Sequence, residues 1–153
     1  MWNDVSALGA CAESPAVAAE LGCDVVLMHM QGEPQTLQAD PRYGDVVSEV
    51  RDALMVRAQV ALEAGVERKR IWLDPGIGFG KTLAHNLDLA ANLATLIGTG
   101  FPVLFGDRLG GSLALALEAA RQGASIIRVH DVRETVQALK VQTAVSAAAR
   151  PAP

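Results

Sequence analysis

Short β-branched or apolar runs alternate along this chain with longer Ala- and Leu-rich stretches of helical period, the pattern of parallel βα units. Five units are predicted. The first strand covers Met1 to Val5 and leads to a helix at Ser14 to Leu21, where Ser14-Pro15 matches a cap residue followed by proline at the first helical position. A second strand, Asp24 to Met30, and a loop rich in Gln, Gly and Pro, Gln31 to Pro41, precede a long helix from Asp45 to Ala64. On that helix Val46, Val50, Leu54, Ala58, Ala61 and Leu62 share a face, and Gly65 closes it. The third strand, Arg70 to Leu73, runs into a loop from Asp74 to Lys81 and a helix from Asn86 to Ile97 that stops at Gly98 and Gly100. Pro102 to Phe105 is the fourth strand, Ser112 to Arg121 its helix, Ser125 to Val129 the fifth strand and Glu134 to Ala148 the last helix. One domain, 1–148, is expected, followed by a tail at 149–153 that frays.

Composition narrows the class. Half of the 153 residues are hydrophobic and a fifth are charged, enough for one buried core and too apolar for a disordered chain. A net charge of -4 leaves no broad basic field, so nucleic acid is excluded as a partner. Cys11 and Cys23 show neither metal-ligand spacing nor a disulfide framework and read as reduced thiols. No basic leader opens the chain and no apolar run approaches the ~18 residues that span a bilayer, so a soluble, cytoplasmic protein without membrane contact is expected. A closed (β/α)8 barrel typically needs about 250 residues, so five units make roughly five-eighths of one. An open, doubly wound five-stranded sheet is the alternative, and composition does not choose between them.

The most informative run is Leu73-Asp74-Pro75-Gly76-Ile77-Gly78-Phe79-Gly80-Lys81-Thr82, in which a carboxylate ends a strand and a Gly-dense loop lets backbone approach a ligand closely. It is one residue short of P-loop spacing. Its ordinary reading is a tight strand-to-helix turn capped by Asp74. Three further segments place polar or soft residues at strand C-termini, where barrel enzymes build their sites: Asn3-Asp4-Val5-Ser6-Ala7-Leu8, Leu27-Met28-His29-Met30-Gln31-Gly32 and Arg128-Val129-His130-Asp131-Val132. Singly these also have ordinary readings: His29 as a satisfied core histidine, Met28 and Met30 as packing, Arg128 as an ion-pair partner.

Taken together and in this order, the four segments resemble dihydropteroate synthases, folate-pathway transferases that join a pterin pyrophosphate to p-aminobenzoate. The resemblance implies an α/β fold, a partial TIM (β/α)8 barrel whose five parallel βα units correspond to strands four to eight. It implies that Asn3 and Asp74 hydrogen-bond the pterin, a neutral amide suiting mixed donors and acceptors and a carboxylate suiting N–H donors. Met28 then packs on the pterin, Phe79 lies near the p-aminobenzoate side and Gly106 is a substrate contact. Arg128 and His130 hold the pyrophosphate leaving group as charge builds on its bridging oxygen, an end that Mg2+ also serves in the family. A homodimer is the implied assembly.

The chain departs from the family pattern in two places. The first-strand asparagine that ligates Mg2+, the second-loop arginine and the third-strand pterin-binding aspartate have no counterparts. After Val103-Leu104-Phe105-Gly106 the family's Ser-Arg-Lys loop gives way to Asp107-Arg108-Leu109-Gly110-Gly111-Ser112, as an internal deletion would leave it. The resemblance therefore implies a transferase that is impaired or inactive in this form; a non-catalytic remnant or a complementing half-barrel is the alternative. The strands are predicted to run parallel in chain order, with Asn3, Met28, Asp74, Gly106 and Arg128 at one end. An uncovered inner face and two free strand edges predict self-association.

Overall fold

The computed structural model of the chain describes residues 1–32, 41–106 and 112–148. The expectations placed on Asp107 to Gly111, on the tail at 149–153 and on most of the loop after Met30 lie outside them.

Five strands and six α-helices are found among the described residues: β1 (Trp2–Asp4), α1 (Ser14–Leu21), β2 (Val25–Met28), α2 (Val46–Glu63), β3 (Ile71–Asp74), α3 (Leu83–Ala91), α4 (Ala94–Ile97), β4 (Leu104–Gly106), α5 (Ser112–Gln122), β5 (Ile126–Arg128) and α6 (Val132–Ala148). A single 3₁₀ turn, Arg68–Arg70, introduces β3. All strand pairs are parallel, in the orders β1-β2-β3 and β4-β5. A bridge from Leu73 to Val103, with Leu73 N–H donating to Pro102 O at 3.0 Å, links the two sets, so the strands follow chain order as expected.

Four of the strands are shorter than the apolar runs that announced them, and β3 keeps its length but is shifted by one residue. At β1 the cause is local: Asp4 turns its carboxylate back to the N–H groups of Ser6 and Leu8, and the chain leaves the ladder. β2 is buried along its whole length, as a parallel strand covered on both faces must be. Alternation divides the sheet into two faces. Val25, Leu27, Ile71, Leu73, Val103 and Phe105 join the core formed with Val50, Leu54, Ala58 and Ala61 of α2. The opposite face carries Asn3, Val26, Met28, Trp72, Asp74, Leu104, Gly106 and Arg128.

The helices differ from expectation chiefly at α1 and at α3, while α6 starts two residues early, at Val132. α1 has no side-chain cap, because Glu13 is already helical and Ser14 lies inside the first turn rather than ahead of it. The helix expected at Asn86 to Ile97 begins at Leu83 and breaks after Ala91. Thr82 starts it with a reciprocal cap: its Oγ1 accepts from His85 N–H at 3.2 Å and His85 Nδ1 accepts from Thr82 N–H at 3.3 Å, histidine filling the place usually held by Glu or Gln. Gln122 of α5 bridges the break, donating to Ala90 O at 2.6 Å and accepting from Ala94 N–H at 2.9 Å. α2 agrees closely with its pattern: Asp45 caps it, Val46, Val50, Leu54, Ala58 and Ala61 are buried, and Leu62 packs partly buried.

No helix among the described residues is long and apolar enough to cross a membrane. Both cysteines are free thiols. β1 and β5 each pair on one side only among the described residues. Beside β5 opens an apolar groove of about 480 Å³ whose walls include Met1, Asn3, Leu104, Ile126, Val136 and Leu139. α6 also leaves Val132, Val136, Val141 and Val145 largely exposed. Surfaces of this kind favour association. Light scattering is expected to give a mass above that of one chain, moving toward the monomer in Val136→Lys; a strictly monomeric wild type would contradict this.

Candidate active site

The loop after β3 is built around Asp74. This last strand residue is wholly buried; its Oδ1 accepts from Gly76 N–H at 2.8 Å, and its backbone oxygen accepts from His29 N–H at 2.9 Å. The loop then lies flat on the end of β2. At Gly76 (φ +68°) a Cβ would overlap the His29 carbonyl oxygen, and at Gly80 (φ +63°) it would stand 2.5 Å from Gln31 O. Only glycine allows so close an approach with that backbone. Buried Asn86 of α3 fastens the tip, accepting from Gly78 N–H at 3.0 Å and donating to Thr82 O at 2.8 Å. Tyr43 donates its hydroxyl to Gly80 O at 2.9 Å.

Lys81 is buried beneath this loop. Its Nζ lies 3.1 Å from Gly76 O, 3.0 Å from Phe79 O and 3.0 Å from His29 Nδ1. Burial pushes the Asp74 carboxyl up to about 6, opposed by the Gly76 hydrogen bond and by the charges of Arg128 and Lys81. Burial also draws Lys81 down to about 7 against the pull of Asp74, and draws His29 down to about 4 with the Lys81 charge adding to the fall. His29 is thus neutral at ordinary pH and partnered, in keeping with its ordinary reading.

The structure brings four of the sequence-predicted residues together. Met28 and Asp74 are register partners on adjacent strands, as are Gly106 and Arg128, all at the C-terminal ends. Arg128 Nη2 lies 3.5 Å from Asp74 Oδ2, and the guanidinium lies so close over Gly106 that a Cβ there would stand 2.5 Å from it. Phe79 is half-buried in the loop. Asn3 is exposed and pairs in register with Val26, two residues below Met28 on the same face. Arg128 and Asn3 line the groove beside β5 together. His130 is exposed beyond β5, and no hydrogen bond joins it to the other site residues among the described residues.

Pattern reasoning missed Lys81, Asn86 and the role of the residues after Asn3. Asp4 accepts from Ser6 N–H at 2.8 Å and Ser6 Oγ at 2.7 Å, while Ser6 Oγ accepts from the N–H groups of Gly9 and Ala10 at 3.1 Å each. Arg57 Nε donates to Ala7 O at 2.8 Å, holding a turn in which Ala7 and Leu8 both take positive φ. The available signals were a lysine closing the Gly-dense loop and Asp and Ser two residues apart, both of which resemble surface turn chemistry until burial is known. Among the described residues no three His, Cys, Asp or Glu side chains are grouped to hold a metal ion.

Comparison with known proteins gives one consistent picture. The family model described as "Pterin binding enzyme" matches residues 1–130. Dihydropteroate synthase of Escherichia coli K12 is 43% identical over 162 residues, covering 95% of this chain and 57% of that protein. Among solved structures, dihydropteroate synthase from Stenotrophomonas maltophilia with active site-bound imidazole is similar at TM-score 0.89 and 42% identity, covering 97% of this chain and 62% of that one. The Xanthomonas albilineans enzyme in complex with 7,8-dihydropteroate is similar at TM-score 0.84 and 40% identity, covering 96% and 59%. The chain thus spans about 57% of the length of the curated relatives it matches.

Two outcomes are expected. Gly76→Ala should cost roughly 3 kcal/mol or more, seen as a lowered denaturation midpoint, because the residue combines positive φ with backbone contact. His29, depressed to about 4, contributes stability that is present above pH 6.5 and lost as pH falls through 4. Asp74, raised to about 6, works oppositely: its contribution is full below pH 3.8 and lost as pH rises through 6. Thermal melts from pH 7 to 4 should therefore show a steeper acid decline in Asp74→Asn and a shallower one in His29→Gln.

Proposed function

Because the chain belongs to the pterin binding enzyme family, we propose that it carries the pterin- and pyrophosphate-holding part of a dihydropteroate synthase, a transferase of folate biosynthesis. Its strands then form strands four to eight of a (β/α)8 barrel. The observation that carries the proposal is the buried Asp74 carboxylate, beside Met28 and within 3.5 Å of the Arg128 guanidinium at the sheet's C-terminal edge.

With a pKa near 6, Asp74 is mostly ionised at neutral pH and accepts from the amino and ring N–H groups of a pterin. Its 3.5 Å contact with Arg128 is loose enough to yield to a ligand donor. Met28, buried beside Asp74, packs behind the ring's place, and Asn3 offers a neutral amide toward its other edge. In the reaction the bond from the pterin methylene to the pyrophosphate oxygen breaks. The arylamine nitrogen of p-aminobenzoate forms the new bond to that carbon and releases a proton. Arg128, with 43% of its side chain exposed, faces the charge that collects on the leaving oxygen, and His130 offers a second donor. Gly106 leaves room for the guanidinium, and Phe79 walls the p-aminobenzoate side.

The family's Mg2+ does not fit the residues present. No acidic or histidine cluster is grouped for it among the described residues, and Asp74 directs its oxygens to Gly76 N–H and Arg128.

By itself the 153-residue chain binds without turnover in this proposal, since much of the relatives' length lies outside the match. The match to the E. coli enzyme also extends over 162 residues, more than the whole chain, as an internal deletion near Asp107 would produce. Supplied with 6-hydroxymethyl-7,8-dihydropterin pyrophosphate, p-aminobenzoate and Mg2+, the purified chain should form no dihydropteroate. Calorimetry should show pterin binding that weakens at least about tenfold in Asp74→Asn, since a hydrogen bond to a charged group contributes about 1.5 to 3 kcal/mol. Turnover that disappears in Asp74→Ala would overturn the half-site, and unchanged affinity in Asp74→Asn would overturn the pterin assignment.

A further inference from the structure

Lys81 is the buried cation that the proposed chemistry leaves unused. It is 3% exposed, and besides Gly76 O, Phe79 O and His29 Nδ1 its Nζ approaches His29 O at 3.4 Å. An ammonium has three donors and accepts nothing, so every N–H has an acceptor here. Two acceptors belong to the loop after β3 and two to the residue that follows β2. One side chain therefore ties the loop to its neighbouring strand, at the same seam where Gly76 and Gly80 meet His29 and Gln31 backbone to backbone.

We infer that Lys81 is a positioning residue: it clamps the Asp74–Gly80 loop onto the end of β2 and so fixes how Asp74 and Phe79 meet the pterin. The pterin part rests on the function proposed above; the clamp itself does not.

The groups around it are His29 after β2, Asp74 at the end of β3, Tyr43 ahead of α2 through Gly80 O, and the Arg128 guanidinium beyond Asp74. Burial holds Lys81 near 7, His29 near 4, Asp74 near 6 and Tyr43 near 12. Between pH 7 and 9 Lys81 therefore changes charge while His29 stays neutral. Once neutral, Lys81 still donates to Gly76 O and Phe79 O, and its lone pair accepts from His29 Nδ1–H in the other tautomer. Opening the loop returns Lys81 to water and its ordinary range, so opening takes up a proton. By linkage the closed loop gains as pH rises above 7 and loses as pH falls through it.

The test compares wild type with Lys81→Met, which keeps the chain length and removes the donors. Hydrogen exchange of the ligand-free chain, corrected for intrinsic rates, is followed in peptides covering 74–81 at pH 7 and pH 9. Pterin affinity is measured alongside by calorimetry with 6-hydroxymethylpterin. Wild-type protection should rise about tenfold over this range. In Lys81→Met it should be independent of pH and about tenfold lower than wild type at pH 9, where pterin affinity should also be down about tenfold. A side chain that merely fills space would not produce the pH dependence. Protection equal to wild type in Lys81→Met at pH 9, or equal pterin affinity there despite a loosened loop, would overturn the positioning role. A loosened loop with no pterin binding even in wild type would uphold the clamp and overturn the pterin assignment instead. Should Lys81→Met fail to fold, the wild-type pH series and Lys81→Gln, which keeps one amide donor group, decide the matter: a flat wild-type profile overturns the clamp.

Discussion

The close approach of two backbone segments, the loop after β3 and the residues after β2, is the constraint on which the rest of the site depends. Gly76 and Gly80 permit it, since each has positive φ and a neighbouring carbonyl where a side chain would stand. The approach buries Asp74, leaving its carboxylate to be satisfied by Gly76 N–H and Arg128. It also encloses Lys81 among carbonyl oxygens. Displaced pKa values in Asp74, Lys81 and His29 share one cause, burial at this seam.

Around the seam, each supporting element contributes through a specific side chain. Asn86 reaches back from α3 to the loop tip, and Thr82 with His85 sets where that helix starts. Gln122 ties α5 to the break between α3 and α4. These bonds tie the loop and the helices to one another on the core side of the sheet, while Met28, Asp74, Gly106 and Arg128 lie on its opposite face. Packing and chemistry are thereby divided between the two faces of short parallel strands.

The electrostatic character of the site follows from the same division. A buried carboxylate beside a partly exposed guanidinium is poorly matched as a structural ion pair, because the 3.5 Å contact is long and its two members differ greatly in solvation. Met28, the register partner of Asp74, is buried beside the carboxylate.

Much of this was legible in the sequence. The βα alternation located the five strands found among the described residues, helical periodicity identified the buried face of α2, and four strand-end motifs carried the family resemblance. Such features are local: a strand or helix face repeats along the chain, and a glycine that permits positive φ stands where it is needed. The sequence by itself did not determine which polar residues are buried. The burial of Lys81 and the hydrogen bonds of Asp4 and Ser6 were not among its readings, since those partners are set by folding or by short backbone bends that periodicity does not encode. The break between α3 and α4 also required tertiary structure, because Gln122, 32 residues from Ala90, satisfies the backbone there. Asn3 and Asp74 were paired by motif, yet the sheet register sets Asn3 below Met28 and leaves it exposed, a displacement visible only once the strands are aligned. Local pattern decides which segments become strands and helices; register and burial, which depend on contacts between distant segments, decide what their polar side chains can do.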